Sequence, residues 1–254
     1  MMQPPLRSAP GRRFLTALPV FNEARHVEGV LDEVVRHAAE VLVVDDGSTD
    51  GTARILADRL ERSGDIRVVR HPQNRGYGAA LATAFREALA GGFDGLVTID
   101  CDGQHQPRMI PDFIAAAAEG RADIVSGSRY LRAFEGDSLP PESRRRINAT
   151  ITAEINARFG FRLTDAFCGF KAYTRRALGA LHVTETGYAM PLEVWAQASA
   201  AGLEVTEVPV PLLYLDLARS FGGALDDAET RLAYYRSVLD RAEAAALAAA
   251  TRDG

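Results

Sequence analysis

The stretch Leu96-Val97-Thr98-Ile99-Asp100-Cys101-Asp102-Gly103-Gln104-His105 joins a short apolar run to two carboxylates two positions apart. The run at residues 96–99 predicts a buried strand. In an open α/β sheet, ligand-binding side chains gather at the carboxyl ends of parallel strands, which is where Asp100, Asp102 and Gln104 lie. Oxygen ligands on a tight turn suit a hard divalent cation such as Mg²⁺. A solvated Asp-Gly turn after a strand has the same local pattern.

The composition excludes several classes of protein. The chain has 254 residues, which fits one large α/β domain or two small ones, and with 47% hydrophobic residues it can bury a substantial core. Its net charge of -5 argues against a general nucleic-acid binder. Two cysteines, Cys101 and Cys168, provide neither a disulfide framework nor metal-finger spacing, and they fit a reducing cytosol. No apolar run reaches the about 18 residues that a membrane span needs. On the cysteine usage we expect a cytoplasmic protein.

Apolar runs alternate with amphipathic stretches along the first half of the chain. Strands are predicted at residues 14–20, 41–44, 66–69, 96–99 and 122–126, with helices between them. The first helix is expected to run from Asn22 to Ala39. Strands and helices that alternate at this spacing indicate parallel βαβ units. Residues 1–13 contain Pro, Gly and Arg but no signal-peptide core, and they are expected to form a disordered leader.

The alternation is less regular after Tyr130. Residues 131–143 are polar and predict a mobile loop, and a helix is expected at 144–159. Further elements are predicted as strands at 165–173 and 204–215, a helix bearing Trp195, a loop at 217–225 and a long closing helix at 226–250. No linker-like composition separates the two halves, so residues 14–250 are expected to form a single domain. The expected fold class is α/β, with a mostly parallel sheet flanked by helices and a long C-terminal helix.

Four short motifs coincide with predicted strand ends or helix starts. They are Leu18-Pro19-Val20-Phe21-Asn22-Glu23, Val43-Val44-Asp45-Asp46-Gly47-Ser48, Asn74-Arg75-Gly76 and Asp100-Cys101-Asp102-Gly103-Gln104-His105. In this order and spacing they resemble the family 2 glycosyltransferases, which have the GT-A fold with its Rossmann-like sheet. Within that family the chain is similar to the polyprenyl-phosphate sugar transferases, the dolichyl-phosphate mannose synthase group. The resemblance extends from Thr16 to about Gly222.

The resemblance implies a donor site for a nucleotide-diphosphate sugar. The residues implied to line the nucleotide are Pro19, Phe21, Glu23, Asp45, Asp46 and Asp100. One of the two adjacent aspartates would bind the base or the ribose, since carboxylates accept hydrogen bonds from ring N–H groups and hydroxyls. The residues implied to be catalytic are Asp100, Asp102, Arg129, Asp165 and Arg219. Asp102 and Gln104 would hold Mg²⁺ or Mn²⁺.

The resemblance also implies residues for the diphosphate and the acceptor. Arg129 matches an arginine that meets the diphosphate, and Asp165 with the segment 168–171 matches a motif near the acceptor. Arg219 and Gly222 match a loop over the donor phosphates, which we expect to close as a lid over residues 217–225. Here Gly223-Ala224-Leu225 follows, where the group commonly has Ser-Lys. A cation is therefore missing, and this affects the identity of the acceptor more than that of the donor.

The activity implied is an inverting, metal-dependent transfer of a hexose from a UDP-glucose-type or GDP-mannose-type donor to a polyprenyl phosphate. A phosphate monoester is largely dianionic at pH 7, so such an acceptor needs no strong general base. A soluble transferase that acts on a hydroxyl of a glycan or small molecule would need one, and Asp165 or Glu193 would be the candidates. A non-catalytic nucleotide-sugar binding module is a third possibility, although both metal acids are present.

The expected surroundings of the protein follow from a polyprenyl acceptor. The residues 131–146, which end in Arg144-Arg145-Arg146, are expected to face the inner surface of the membrane peripherally, and each arginine there adds about 1 kcal/mol of attraction to anionic headgroups. The acidic net charge of the chain opposes this contact. No nucleic-acid partner is expected, and the sequence leaves the oligomeric state open.

Overall fold

A computed structural model describes residues 12–138, 140–213 and 223–250 of the chain. The described strands are β1 (Phe14–Val20), β2 (Val41–Asp45), β3 (Arg67–Arg70), β4 (Gly95–Thr98), β5 (Ile124–Ser128), β6 (Lys171–Thr174) and β7 (Val205–Pro209). The described α-helices are α1 (Val27–His37), α2 (Thr52–Arg62), α3 (Tyr77–Ala90), α4 (Ile110–Ala118), α5 (Glu142–Phe159), α6 (Arg175–Ala180), α7 (Met190–Ala200) and α8 (Ala228–Ala250). Short 3-10 turns cover Pro107–Met109 and Gly223–Asp226.

The strands form one mixed sheet in the order β3-β2-β1-β4-β6-β5-β7. Strand β6 pairs antiparallel with β4 and β5, while the other neighbours pair in parallel. The prediction of an α/β fold with a mostly parallel sheet and a long closing helix is confirmed. The strand order also reverses at β1, because β2 and β3 lie on one side of it and β4 lies on the other.

Apolar side chains cover both faces of this sheet, as buried parallel strands require. One cluster contains Val27 and Leu31 of α1 and Phe113 of α4. The other contains side chains of α3, α5, α7 and α8, among them the fully buried Trp195. The indole Nε1 of Trp195 donates to the carbonyl of Ala166 at 3.0 Å, so its one polar atom is satisfied. The sheet is thus fixed from both sides, and its strand ends are the rigid base of any site built on them.

The first helix starts later than the sequence predicts. Asn22 has a positive φ of 56°, which no α-helix accommodates, and α1 begins only at Val27. The side chain of Asn22 explains this conformation, since its Oδ1 accepts the backbone N–H of Thr49 at 2.8 Å. Asparagine tolerates the left-handed region better than most residues, and here it is used to join two loops.

Two predicted strands are shorter in the structure. Residues 165–170 form turns, and β6 begins at Lys171, because the Asp165 carboxylate folds back to accept the N–H of Phe167 at 3.1 Å. A strand is predicted at 204–215, but β7 ends at Pro209; residues 214 and 215 lie outside the described residues. Pro209 and Pro211 have no N–H to donate to a sheet ladder. Helix α5 starts directly after Pro141, so the expected loop at 131–143 ends two residues early.

The start of the fold lies within the predicted leader. The backbone N–H of Arg13 donates to Asp94 Oδ2 at 2.7 Å, and its guanidinium pairs with Glu40 at 2.6 Å. The guanidinium also lies 4.7 Å from the centre of the Phe93 ring. Arg13 is therefore anchored, which corrects the expectation for this position, and residues 1–11 lie outside the described residues. In the described part of the chain, no helix combines the length and the apolar character that crossing a bilayer requires.

Candidate functional site

A cleft of about 500 Å³ opens at the end of the sheet where β1 and β4 lie side by side. The point at which the strand order reverses is the usual ligand site of an open α/β sheet. Many residues singled out from the sequence line this cleft: Pro19, Phe21, Glu23, Asp46, Asp100, Asp102, Gln104 and Arg129. The structure therefore brings the expected nucleotide side and the expected metal side together in one cavity.

Asp45 lies at the end of β2, behind the cleft wall. Its side chain is 1% exposed, and Oδ1 accepts the N–H of Ser48 at 2.9 Å. Oδ2 lies 3.2 Å from Nε of Arg70 but outside hydrogen-bond geometry, and it has no hydrogen-bond partner among the described residues. Arg70 thus compensates the charge of this carboxylate as an ion-pair partner, and the buried Asp45 is not among the residues that line the cleft.

Asp46 serves the neighbouring turn with both of its oxygens. Oδ1 lies 2.6 Å from Nδ1 of His71 and accepts the N–H of Arg75 at 3.0 Å, while Oδ2 accepts the N–H of Gly76 at 2.7 Å. Nε2 of His71 lies 2.9 Å from Oγ1 of Thr83, which extends the network into α3. Of the two adjacent aspartates, Asp46 therefore fixes the start of α3 and lines the cleft, while Asp45 lies behind it.

Asp100 follows β4 and is held on several sides. Oδ1 accepts the hydroxyl of Tyr77 at 3.0 Å, and Oδ2 lies 3.2 Å from Nε2 of His105. A Cβ at Gly169 would come within 2.2 Å of Oδ2, so the glycine leaves the space that this carboxylate fills. Burial, and then the Asp100 charge, raise the pKa of Tyr77 well above its ordinary value, which keeps its hydroxyl a hydrogen-bond donor.

Asp102 and Gln104 complete an oxygen-rich turn in the cleft. Oδ1 of Asp102 accepts the N–H of Gln104 at 3.0 Å, which closes the turn, and both side chains line the cavity beside Asp100. Within the described residues, no three His, Cys, Asp or Glu side chains come together as a complete metal site. Two carboxylates and an amide nonetheless fit Mg²⁺ or Mn²⁺, because such cations commonly keep several waters and share substrate phosphates.

Arg129 and Asp165 form an ion pair at the cleft wall. Nε and Nη2 of Arg129 donate to Oδ2 and Oδ1 of Asp165 at 2.6 and 2.9 Å, and Asn148 Nδ2 donates to Oδ1 at 2.8 Å. Burial alone would raise the pKa of Asp165, but the Arg129 charge and its hydrogen bonds hold the pKa well below the ordinary value. Asp165 thus stays a carboxylate that orients Arg129. This geometry argues against the alternative role of Asp165 as a general base.

The other candidate base, Glu193, is also committed to the protein. Its carboxylate accepts the N–H of Thr184 at 2.8 Å, the hydroxyl of Thr184 at 2.6 Å and the N–H of Glu185 at 2.8 Å. Glu193 is 8% exposed and is not among the residues that line the cleft. It fastens the segment before α7 and does not face a substrate.

The segment expected near the acceptor is largely buried. Lys171 is 3% exposed, and its Nζ donates to Oγ of Ser126 at 3.0 Å and to the carbonyl of Cys168. Burial lowers the pKa of Lys171. This ammonium lies under the sheet end and supports the turn that carries Gly169 against Asp100.

Several cleft residues were missed by the sequence reasoning: Tyr77, Tyr188, Arg144, Arg231 and Tyr235. Tyr77 and Tyr188 stack with ring centres 5.8 Å apart and an angle of 23° between the planes. Arg144 is predicted only as part of the membrane-facing segment 131–146, and no role in the cleft is predicted for Tyr235. The one available signal was the position of Tyr77 directly after Asn74-Arg75-Gly76; the other residues reach the cleft through tertiary packing. Arg219 and Gly222 of the expected lid lie outside the described residues.

Comparison with known proteins agrees with this geometry. The model of glycosyl transferase family 2 matches residues 16–181. An undecaprenyl-phosphate mannosyltransferase of Micrococcus luteus is 32% identical over 85% of this chain and 90% of its own length. A polyprenol monophosphomannose synthase of Mycolicibacterium smegmatis is 32% identical over 94% of this chain and 93% of its own length.

A solved structure supports the fold independently. It is a mannosyltransferase from Pyrobaculum calidifontis in complex with GDP-Man and Mn²⁺, which superposes with a TM-score of 0.57 over 96% of this chain and 77% of that chain. The two sequences are 22% identical, so this likeness bears on the fold alone. With the family model covering most of the chain and the paired acids placed in a cleft at the sheet's reversal point, the chain belongs to glycosyl transferase family 2 and is a glycosyltransferase.

Proposed function

We propose that the chain transfers a hexose from a nucleotide-diphosphate sugar to a polyprenyl phosphate, with inversion at the anomeric carbon and with a divalent cation. The observation that carries this proposal is the cleft itself. It combines the paired acids Asp100 and Asp102 with a cationic wall, while the two candidate bases are held in protein contacts. The similarity to enzymes named for polyprenyl phosphates and mannose supports the same substrates.

The donor is proposed to bind across the ends of β1, β2 and β4. Asp45 or Asp46 would accept a hydrogen bond from the base or the ribose, and Phe21, which is 41% exposed, is a flat surface at the cleft edge. Asp102 and Gln104, next to Asp100, would hold Mg²⁺ or Mn²⁺. When bound there, the cation supplies Lewis-acid neutralisation of the diphosphate. Because both named relatives transfer mannose, GDP-mannose is the first donor to test and UDP-sugars are the alternative.

The contacts of the two candidate general bases indicate which kind of acceptor the cleft suits. An attacking hydroxyl must lose a proton, and the two acids considered for that task, Asp165 and Glu193, are an ion-pair partner and a backbone anchor. A phosphate monoester has a second pKa of about 6, so it is largely deprotonated at pH 7 and its own oxygen acts as the nucleophile. A phosphate oxygen then forms the bond to the anomeric carbon, and the bond to the leaving diphosphate breaks with its electron pair on oxygen. The hydroxyl-acceptor alternative is therefore less well supported.

Arg129 is proposed to stabilise the charge that develops on the leaving diphosphate. Its side chain is 21% exposed at the cleft, and Asp165 holds it in one orientation by two parallel hydrogen bonds. A cation that is fixed before the reaction needs no reorganisation as the charge develops. Arg219 of the expected lid would add a second cation from above the donor.

The test is a transfer assay with undecaprenyl phosphate in detergent. GDP-mannose, UDP-glucose and UDP-N-acetylglucosamine are offered in parallel, with Mn²⁺ or with EDTA, and lipid-linked sugar is extracted and counted. We expect product from one donor, loss of product with EDTA, and loss of at least about 100-fold in Asp102→Asn, which removes a negative oxygen ligand and keeps the side-chain shape. The thermal midpoint of the variant should stay close to that of the wild type. Transfer that persists in EDTA and in Asp102→Asn would contradict the metal assignment, and transfer only to hydroxyl acceptors would contradict the polyprenyl phosphate.

A further inference from the structure

The carboxylate of Asp100 receives hydrogen bonds from side chains of two different segments. Tyr77, the first residue of α3, donates its hydroxyl to Oδ1 at 3.0 Å, and His105 places Nε2 3.2 Å from Oδ2. Gly169 closes a third side, because a Cβ there would come within 2.7 Å of Oδ1 as well as Oδ2. Tyr77, His105 and Gly169 therefore define the position of the Asp100 carboxylate from three sides.

Hydrogen bonds hold the backbone on both sides of Tyr77. The N–H groups of Arg75 and Gly76 donate to Asp46, and the N–H of Gly78 donates to the carbonyl of Thr186 at 2.7 Å. Gly76 has a φ of 100°, and a Cβ there would come within 2.3 Å of the same Thr186 oxygen. The backbone around Tyr77 therefore has little room to move, and the direction of its hydroxyl is set by the fold.

We propose that Tyr77 is a positioning residue for the cation site. Its hydroxyl holds Asp100 in the orientation that faces Asp102 and Gln104. The inference rests on the proposed function, because it assumes a cation at this turn. Residues that hydrogen-bond to metal-ligating groups orient those groups and tune their affinity, and their loss typically lowers metal affinity or activity by about 10- to 100-fold. Because its neighbours Arg75 and Gly76 donate hydrogen bonds to Asp46, Tyr77 connects the Asp46 side of the cleft to the Asp100 side.

The Tyr77→Phe variant tests this inference, because it removes the hydroxyl and keeps the ring that stacks on Tyr188. The matched control is Tyr234→Phe, which removes a hydroxyl that donates to the Glu185 carboxylate at 2.8 Å. Neither Tyr234 nor Glu185 is among the cleft residues. Mn²⁺ alone is titrated into each protein and followed by electron paramagnetic resonance, and the thermal midpoint without Mn²⁺ reports the fold.

We expect the Kd for Mn²⁺ to rise by about 10-fold or more in Tyr77→Phe and to stay unchanged in Tyr234→Phe. In transfer assays of Tyr77→Phe, the Mn²⁺ concentration that gives the half-maximal rate should rise. The rate at saturating Mn²⁺ should fall by a smaller factor. A double-mutant cycle supplies the second readout, since Tyr77→Phe should weaken Mn²⁺ binding no further in an Asp100→Asn background if it acts through Asp100.

Three results would overturn the inference. They are wild-type Mn²⁺ affinity in Tyr77→Phe, a full additional loss in the Asp100→Asn background, and no Mn²⁺ binding by the wild type. If the wild type binds Mn²⁺ and both variants behave as expected but no lipid-linked sugar forms, the cation site stands and the proposed acceptor fails. The two failures are therefore distinguishable.

Discussion

The ion pair of Arg129 and Asp165 gives the first prediction at the scale of single residues. The pKa of Asp165 is lower in the folded protein than the unfolded value of about 3.9, so the pair stabilises the fold fully above that value. This contribution declines as the pH falls below about 4 toward the folded pKa. At pH 7, Asp165→Asn should cost about 3 to 5 kcal/mol, because it leaves the Arg129 charge without its partner.

Urea unfolding of the wild type and Asp165→Asn between pH 7 and pH 3 measures this effect. The difference in unfolding free energy should narrow by about 1 kcal/mol at pH 3, since wild-type folding then requires the unfolded carboxyl to lose its proton. The control is Asp240→Asn, which loses an exposed pair with Arg158 and should cost at most about 1 kcal/mol. A difference that stays constant down to pH 3 would show that the Asp165 charge does not carry the effect.

Single residues were predictable here where the signal is local. Asp100, Asp102 and Gln104 follow an apolar run directly, so their place at a strand end could be read from the sequence. Arg129 and Asp165 were both singled out, but their pairing across 36 positions depends on how the turn after α5 packs against β5. The contact of Tyr77 with Asp100 spans 23 positions and depends on the docking of α3, which no local pattern indicates.

At the scale of elements, the first turn of α3 packs closely on the segment before α7. The N–H of Gly78 donates to Thr186, and a Cβ at Gly78 would come within 2.1 Å of the Glu185 carbonyl and 2.9 Å of Met190 Cβ. We expect Gly78→Ala to cost about 1 to 3 kcal/mol, because backbone must move to admit the methyl group. We also expect it to lower transfer, because Tyr77 is the adjacent residue.

A glycine without near neighbours supplies the control for this substitution. Gly29 lies within α1, and a Cβ there would meet nothing within 4 Å. Gly29→Ala should therefore stabilise the protein by up to about 1 kcal/mol, since alanine is the better helix former. Urea midpoints of the two variants should move in opposite directions, and midpoints that move together would contradict the close packing at α3.

Elements were predictable in kind and less so in extent or direction. Apolar runs placed β1, β2, β3 and β4 within a residue or two. For β1, β2 and β4 the reason is burial, since buried parallel strands are largely apolar, whereas the edge strand β3 is only partly buried. The antiparallel direction of β6 was not predicted, since hydrophobic periodicity is the same for a strand that runs either way. The late start of α1 was also missed, because it depends on the Asn22 side chain bonding to a loop 27 positions away.

At the scale of the whole molecule, the cleft shows why the general fold and function could be predicted while the cavity wall could not. The strand ends that carry the paired acids depend on the order of βαβ units, and this order is visible in the sequence. The opposite wall contains Tyr188, Arg231 and Tyr235. Tyr188 lies in the segment before α7, and the other two belong to α8. Their positions depend on how helices pack on one another, which local sequence patterns do not predict.

The arginines at the start of α5 carry the last prediction, which concerns the orientation of the whole molecule on a membrane. Arg145 and Arg146 are exposed, and the adjacent Arg144 lines the cleft, so three arginines lie together beside the cleft. The net charge of -5 repels anionic lipid elsewhere, which would favour contact through this one face. Because each arginine adds about 1 kcal/mol, Arg145→Ala/Arg146→Ala should weaken binding to vesicles with anionic lipid by about 30-fold at low salt.

Flotation with phosphatidylcholine vesicles, with and without phosphatidylglycerol, measures this binding. The control Arg54→Ala/Arg121→Ala makes the same change in net charge with exposed arginines of α2 and of the turn before β5, which do not line the cleft. If α5 faces the membrane, the control should float like the wild type, and high salt should release both, because attraction to the headgroups is screened beyond about 10 Å. Equal losses of vesicle binding in the two double variants would mean that net charge, and not the position of α5, governs the contact with the membrane. No vesicle binding by the wild type would place the acceptor in solution.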